Sequence, residues 1–529
     1  MKTRFLAFSL ALLLVLGFSG CMNKNPTKPN DPENPAVTEN DELVLYHNSD
    51  AFTDPLTSLT KRYADSTGKK LSAGYTKAPL WEEAEKRQAS FFLVDAHEDL
   101  SPYYEKGLFS DLSTDSRFLS TKLSIPEGLA LSNGKTGSYG VPLTLEAYGY
   151  LFDKETLKSL FAVANADDLI DDLAQCSYTE FEGFVAAVDT YLKAPTAAKI
   201  TLSGTTYTFA AEKSARASRL TGVFALSAES TRAAEALFGA LLASQFKDRG
   251  AVLDADEVSL ATLKEVLPAF TDVLDLHTGY IAGKDGTVSR GDVFTGGDFS
   301  YTAAIDLFTN GYALFYPGST ADTADFEKSS AGFGENLAII PMKLPLSDKD
   351  IKPAGLSAEK LQRSILVGAR YYLAMNPKAA ETTRSEMTSF LRWLYDDPAG
   401  GVAYTSTFEG LPFNYAVTDT PSLAKSSTGS SSGSSSGSET ETKPDENGEE
   451  PEKPAANYAI ADSLTSSVAR YYAKGDWIPV MTGALPDGWI TDVLGKNLTE
   501  YWGKEVWSDE DVSAFSDRLI TGWNDRIKK

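Results

Sequence analysis

Cysteine is almost absent: the 529 residues hold two, Cys21 and Cys176. With Cys21 committed elsewhere, as argued below, Cys176 has no partner, so the fold rests on its core and not on a disulfide. Cys176 stands in Leu173-Ala-Gln-Cys-Ser-Tyr178, without a cationic or His neighbour, which argues against a reactive thiol. Histidine is nearly as scarce. His47, His97 and His277 are the whole supply, and no two stand at a metal-ligand spacing. Positive charge is short too: 49 Lys and Arg face 73 Asp and Glu, a net −24, or −26 without Lys2 and Arg4. Such a chain repels phosphate backbones and anionic lipid surfaces, which excludes nucleic acid as a partner. After residue 20 no apolar run reaches the ~20 residues of a membrane-spanning helix. His-Glu-x-x-His does not occur, and Gly-x-Ser-x-Gly occurs only as a by-product of the Ser/Gly run over 429–437, so paired carboxylates such as Glu146 and Asp95 are the hydrolytic arrangement to weigh.

What is present is a globular composition, 42% apolar with 24 Tyr, 27 Phe and 7 Trp. About 500 residues follow Cys21, too many for one compact core, so two or more lobes are expected. At the start, Lys2 and Arg4 precede an apolar run from Phe5 to Gly17, then Phe18-Ser-Gly-Cys21. A basic start, a short apolar core and small residues before a cut site make an export signal over 1–20. The cysteine directly after Ser-Gly resembles a bacterial lipobox, with Phe18 where that pattern usually has leucine. The resemblance implies cleavage before Cys21 and a lipid (palmitate) anchor on it. The expected location is the bacterial cell envelope, facing the periplasm or the exterior. Residues 21–42, rich in proline and polar groups, read as an extended tether.

A regular alternation follows. Leu43 to His47 is strand-like, 51–66 has helical spacing (Phe52, Leu56, Leu59, Tyr63), and Gly68 is a stop signal. Lys70 to Tyr75 is a second strand, Trp81 to Ala89 a charged helix, and Phe91 to Val94 a third strand. Strand–helix–strand–helix–strand predicts a parallel sheet with crossover helices, whose ligands sit beyond the carboxyl ends of the strands. That rule places His47-Asn48-Ser49-Asp50 and Asp95-Ala96-His97-Glu98 on one rim. Residues 426–438 are a Ser/Gly run, and an acidic Pro/Glu stretch continues to about 456; this composition has nothing to bury and reads as a disordered insert. The closing helix is marked by a Ser508/Asp511 capping box and a stripe of Val512, Phe515, Leu519, Trp523 and Ile527.

The most specific internal segment is Ser138-Tyr-Gly-Val-Pro-Leu-Thr-Leu-Glu-Ala-Tyr-Gly-Tyr-Leu-Phe-Asp-Lys-Glu-Thr-Leu157. It combines a Gly-Pro turn, an alternating strand carrying Glu146 and Tyr148, and a strand-to-helix change at Asp153. It resembles the first crossing strand of the extracellular solute-binding proteins of ABC importers, in the carbohydrate (maltose-binding-like) family 1. Further pieces resemble that family in its order: Lys106-Gly-Leu108 with Asp111-Leu112, Phe308 to Gly318, Ile339 to Pro345 as the return crossing, and Phe390 to Leu394 with Glu409-Gly-Leu-Pro412.

The resemblance implies an α/β, two-lobed periplasmic-binding-protein fold (type II-like), with lobes joined by crossing strands and extra C-terminal helices. Lobe one would hold 43–138 and 350–410; lobe two would hold 139–345, 411–425 and 457–529, with 426–456 as the insert. It also implies a monomeric, non-catalytic receptor that closes on a small-molecule ligand, a sugar or oligosaccharide, and passes it to ABC permease subunits. No cofactor, metal or catalytic residue is implied. Sugar hydroxyls both donate and accept, so carboxylates, amides and His suit them, while their C–H faces rest on aromatic rings. Glu146 and Tyr148 match the family's crossing-strand contacts. Asn48, Asp50, His97 and Glu98 come from the two rim loops. Tyr316 stands near the position where sugar binders place a stacking Trp, and Trp81, Trp477 and Trp489 are further platforms. Three other readings compete: a sensor lipoprotein of the same fold, a metal-binding importer component, and an anchored hydrolase.

Overall fold

A computed structural model describes residues 43–86, 90–96, 98, 100–115, 123–131, 137–227, 229, 232–295, 299–330, 333–408, 410–415, 463–486 and 488–527. Cys21, the signal and tether segments, His97, Glu409 and the 426–456 insert lie outside these residues. In chain order the strands are β1 (Val44–His47), β2 (Ser72–Tyr75), β3 (Ser90–Asp95), β4 (Val141–Pro142), β5 (Glu146–Asp153), β6 (Lys199–Leu202), β7 (Thr205–Thr208), β8 (Gly222–Phe224), β9 (Ile281–Gly283), β10 (Gly286–Val288), β11 (Ala313–Ser319), β12 (Leu337–Ile340), β13 (Ile365–Gly368), β14 (Tyr371–Met375) and β15 (Trp477–Pro479). They form two mixed sheets and one hairpin, β6–β7.

The first sheet has the order β2-β1-β3-β14-β4. β1 is parallel to both β2 and β3, as the alternating pattern predicts. The intervening helix Thr53–Thr67 buries Leu56, Leu59, Thr60 and Tyr63, one face at i, i+3, i+4 and i+7. It ends at Gly68, whose φ of 70° only glycine adopts freely and whose N–H reaches Ala64 O at 2.9 Å. β14 returns antiparallel to β3, and β4 antiparallel to β14. This sheet carries the first lobe.

The second sheet runs β10-β9-β8-β11-β5-β13-β15, with β12 also on β5. β5 is its axis: β11 covers one edge, while β13 pairs with its first half and β12 with its second. Every residue of β5 after Glu146 is buried. The strand ends where Asp153 caps the next helix, accepting from Thr156 N at 2.6 Å. The chain passes directly between the sheets twice, from Pro142 to Glu146 and from Gly368 to Tyr371, and after Met375 it returns to the second sheet a third time, at β15. Pro341 to Pro345 stays beside the second sheet, so the return falls some 25 residues later than the sequence pattern places it. β13 therefore belongs to the second sheet although it lies within 350–410.

The C-terminal segment completes this lobe. Helix Ser463–Lys474 packs on β12, and Tyr472 donates to Phe413 O at 2.6 Å. The last helix, Asp509–Ile527, begins with the Ser508/Asp511 exchange and lies on helix Glu257–Gly279. Its stripe is buried at Phe515, Leu519 and Trp523, but Ile527 is 46% exposed, beyond the partner surface. Cys176 is buried and donates to Leu173 O; burial pushes its thiol up to about 11, which keeps it protonated at neutral pH.

Lys343 is wholly buried and donates to Ala174 O and Gln362 O, both at 2.7 Å. These carbonyls close the helices Asp167–Gln175 and Ala358–Arg363, so one ammonium caps two negative helix ends. Burial pulls Lys343 down to about 8. An unfolded chain titrates at ~10.4, so between these values the unfolded state holds the extra proton and stability rises with pH. Lys343→Met should cost about 1–3 kcal/mol at pH 7 by orphaning the two carbonyls. Urea melts from pH 7 to 10 should show wild type gaining on the variant above pH ~8.

Candidate functional site

The two crossings converge on a pocket of about 460 Å³, its open mouth included. The first lobe contributes Ala96, after β3, with Gly128, Ala130 and Tyr372. Glu146 and Tyr148 come from β5, and Gly368, Ala369 and Arg370 from the return crossing. The second lobe adds Arg249, Val480 and Thr482.

Glu146 is half-buried at the mouth of β5. Its Oε2 accepts from Tyr148 OH at 2.9 Å and its Oε1 from Ser319 Oγ at 2.7 Å. The Ser319 bond exists because β11 runs antiparallel to β5 with Ser319 opposite Tyr148. Ala147 N donates to Thr320 Oγ1 at 3.1 Å, which pins the strand's start to the same turn. Across the pocket, Arg370 Nε and Nη2 each lie 2.9 Å from Asp95 Oδ2. Ala96 N donates to Arg370 O at 2.7 Å. Burial alone would lower Arg370; the hydrogen bond and charge of Asp95 outweigh it, Tyr371 and Glu146 add to them, and the guanidinium is held above its ordinary value. Tyr372 is pushed up to about 12 by burial, against the pull of the nearby Arg249 cation.

The lining thus offers one carboxyl, two guanidinium groups and three hydroxyls, beside small residues that let a ligand approach the backbone. These groups are donors and acceptors suited to a polyhydroxylated ligand, and no His or Cys is among the described residues lining the pocket. Glu146 and Tyr148 are the sequence-predicted residues brought together here. Asn48 and Asp50 are exposed beyond β1, outside the lining. Glu98 accepts from Tyr103 OH at 3.0 Å. Trp81 carries Lys106 Nζ 4.5 Å above its ring. Tyr316 is buried against Phe308 and Phe326 and lines a separate, mainly apolar pocket with His277 and Trp502. Trp489 is in the core beside Phe238, and Trp477 packs on Tyr472. Arg249, Arg370, Tyr372 and Thr482 were not singled out in the sequence. Only Arg370 had a local signal, as the residue that interrupts the apolar run Ile365–Met375. Among the described residues, no group of three or more His, Cys, Asp or Glu is gathered to hold a metal, and no helix is long and apolar enough to cross a membrane.

This architecture, two α/β lobes meeting at paired crossings over a polar pocket, is the fold of the family 1 extracellular solute-binding proteins. Among solved structures, the apo form of RafE from Streptococcus pneumoniae is 12% identical, with a TM-score of 0.51 over 93% of this chain and 100% of that one. A family 1 extracellular solute-binding protein from Bifidobacterium longum subsp. infantis is 13% identical, with a TM-score of 0.51 over 91% and 98%. The bacterial solute receptor AcbH is 11% identical, with a TM-score of 0.50 over 91% and 98%. No family model and no curated protein matches the sequence.

The Asp95–Arg370 pair joins β3 to the return crossing, with side chains 20% and 40% exposed. A double-mutant cycle of Asp95→Asn and Arg370→Gln, read by urea unfolding, should give a coupling of about 1 kcal/mol. The coupling should shrink when salt rises from ~0.05 to ~0.5 M.

Proposed function

We propose that this chain is a lipid-anchored, extracytoplasmic receptor that captures a sugar or oligosaccharide and delivers it to an ABC importer. The observation that carries this reading is the position of Glu146. It stands where the chain enters the second lobe, fixed by Tyr148 and Ser319, and shares a pocket with first-lobe residues. A ligand there touches both lobes only when they are together, so it stabilises the closed form by its differential affinity. The protein contributes binding and closure and makes no bond in its ligand. AcbH, of the same fold, has an exclusive preference for β-D-galactopyranose, which supports a sugar as the ligand class. Micromolar affinity is about −8 kcal/mol, within reach of a few charge-assisted hydrogen bonds after ordering costs.

A thermal-shift screen over mono- and oligosaccharides, amino acids, polyamines and metal ions tests the ligand class. Stabilisation by sugars alone is expected, and stabilisation only by a metal ion or amino acid would overturn it. For the sugar that binds, Glu146→Gln should weaken affinity about tenfold or more, a loss of ~1.4 kcal/mol, by calorimetry. The ligand-free variant should melt within a few degrees of wild type, because Gln keeps an acceptor for Ser319 or Tyr148. Expressed in a bacterial host, the protein should partition with membranes, and Cys21→Ala should release it with binding intact; a soluble wild type would remove the anchor from this reading.

A further inference from the structure

Gly128 lies in the short turn Glu127–Leu129 of the first lobe and lines the pocket. The turn is tied to that lobe from both sides. Tyr372 OH, on β14, donates to Leu129 O at 3.2 Å, and Tyr139 N donates to Leu131 O at 2.8 Å. Facing it is Pro479, the last residue of β15, at the edge of the second sheet. Pro479 is held in register with Val367, and Val480 N donates to Val367 O at 2.8 Å. A Cβ on residue 128 would stand 2.7 Å from Pro479 Cβ and 2.8 Å from Cγ, closer than side chains approach. The φ of Gly128 is not among the positive values, so alanine is compatible with the backbone itself. What excludes a side chain at 128 is therefore the opposite lobe. A proline ring on a paired strand is also a rigid neighbour that does not swing aside.

We propose that Gly128 and Pro479 form the stop at which the two lobes finish closing over the pocket, with Gly128 the positioning residue that sets how far they close. The inference rests on the reading of the chain as a two-lobed receptor that opens and closes. With no side chain at 128, the turn meets the pyrrolidine ring directly, and Glu146, Arg370 and Thr482 reach a ligand from all sides at once. Any larger residue wedges the lobes apart on the pocket side while leaving each lobe's own packing untouched.

The test compares Gly128→Ala, Gly128→Val, Pro479→Gly and the double variant Gly128→Ala/Pro479→Gly. Affinity is measured by calorimetry for the tightest-binding sugar of the panel above, and lobe separation by small-angle scattering with and without it. Gly128→Ala should weaken binding about tenfold and Gly128→Val more, the size of effect expected from an overpacked contact. Ligand-free melting temperatures should stay near wild type, and the liganded variants should scatter as more open particles. The double variant should recover most of the affinity, because Pro479→Gly removes the atoms that the new Cβ meets. Wild-type affinity in Gly128→Val, or no recovery in the double variant, overturns the stop. If wild type binds no member of the panel, the receptor reading falls instead. The stop is then judged on ligand-free particles, where a larger radius of gyration for Gly128→Val supports it and an unchanged radius overturns it.

Discussion

β5 is hydrogen-bonded along both edges, to β11 on one side and to β13 and β12 in succession on the other. Its position is thus overdetermined, and so is that of each group it carries. Glu146 at its start and the Asp153 cap at its end are fixed by one rigid, buried element. Because β13 leads directly into the return crossing, the same element positions Arg370. Glu146, Tyr148 and Tyr372 are therefore held by strands, which keep a binding geometry better than free loops do.

Two buried charges, Lys343 and Asp153, each meet groups of opposite polarity. Lys343 meets two helix ends. Asp153 accepts from Thr156 N and also from Arg216 at 2.8 Å. Burying such groups costs free energy unless they are paired. Here the pairing joins segments distant in sequence, so it specifies the arrangement of elements as well as stabilising it.

How much of this could be read in the chain depends on the range of the interactions. The parallel pairing of β1, β2 and β3, though not their order in the sheet, was legible because Leu43–His47, 51–66 and Phe91–Val94 each carry a local signal of strand or helix. The start of β5 and the Asp153 cap were legible for the same reason, since Gly-Val-Pro and Asp-x-x-Thr are local signals. The return crossing was not. Ile365 to Met375 reads as one apolar run, and Gly368-Ala-Arg370 breaks it without a turn signature. Pro341 and Pro345 gave a stronger local pattern, although the chain there stays beside the second sheet. Arg249 and Thr482 reach the pocket only through tertiary packing, at separations from Glu146 that periodicity does not register. Tyr316 had the opposite difficulty: its place in β11 was clear, but the side of the sheet it occupies depends on Phe308 and Phe326.

The position of β15 in the chain has a consequence for how the protein is made. This edge strand is synthesised more than 100 residues after its partner β13, beyond the Ser/Gly and acidic stretch. Until it arrives, Ile365–Gly368 has one open edge, and the pocket lacks the wall formed by Val480 and Thr482. Contacts of such long separation form late, because loop-closure entropy must be met first. A growing chain therefore carries its two direct crossings and Glu146 well before it has a complete pocket. The pocket is therefore completed only by the last tenth of the polypeptide.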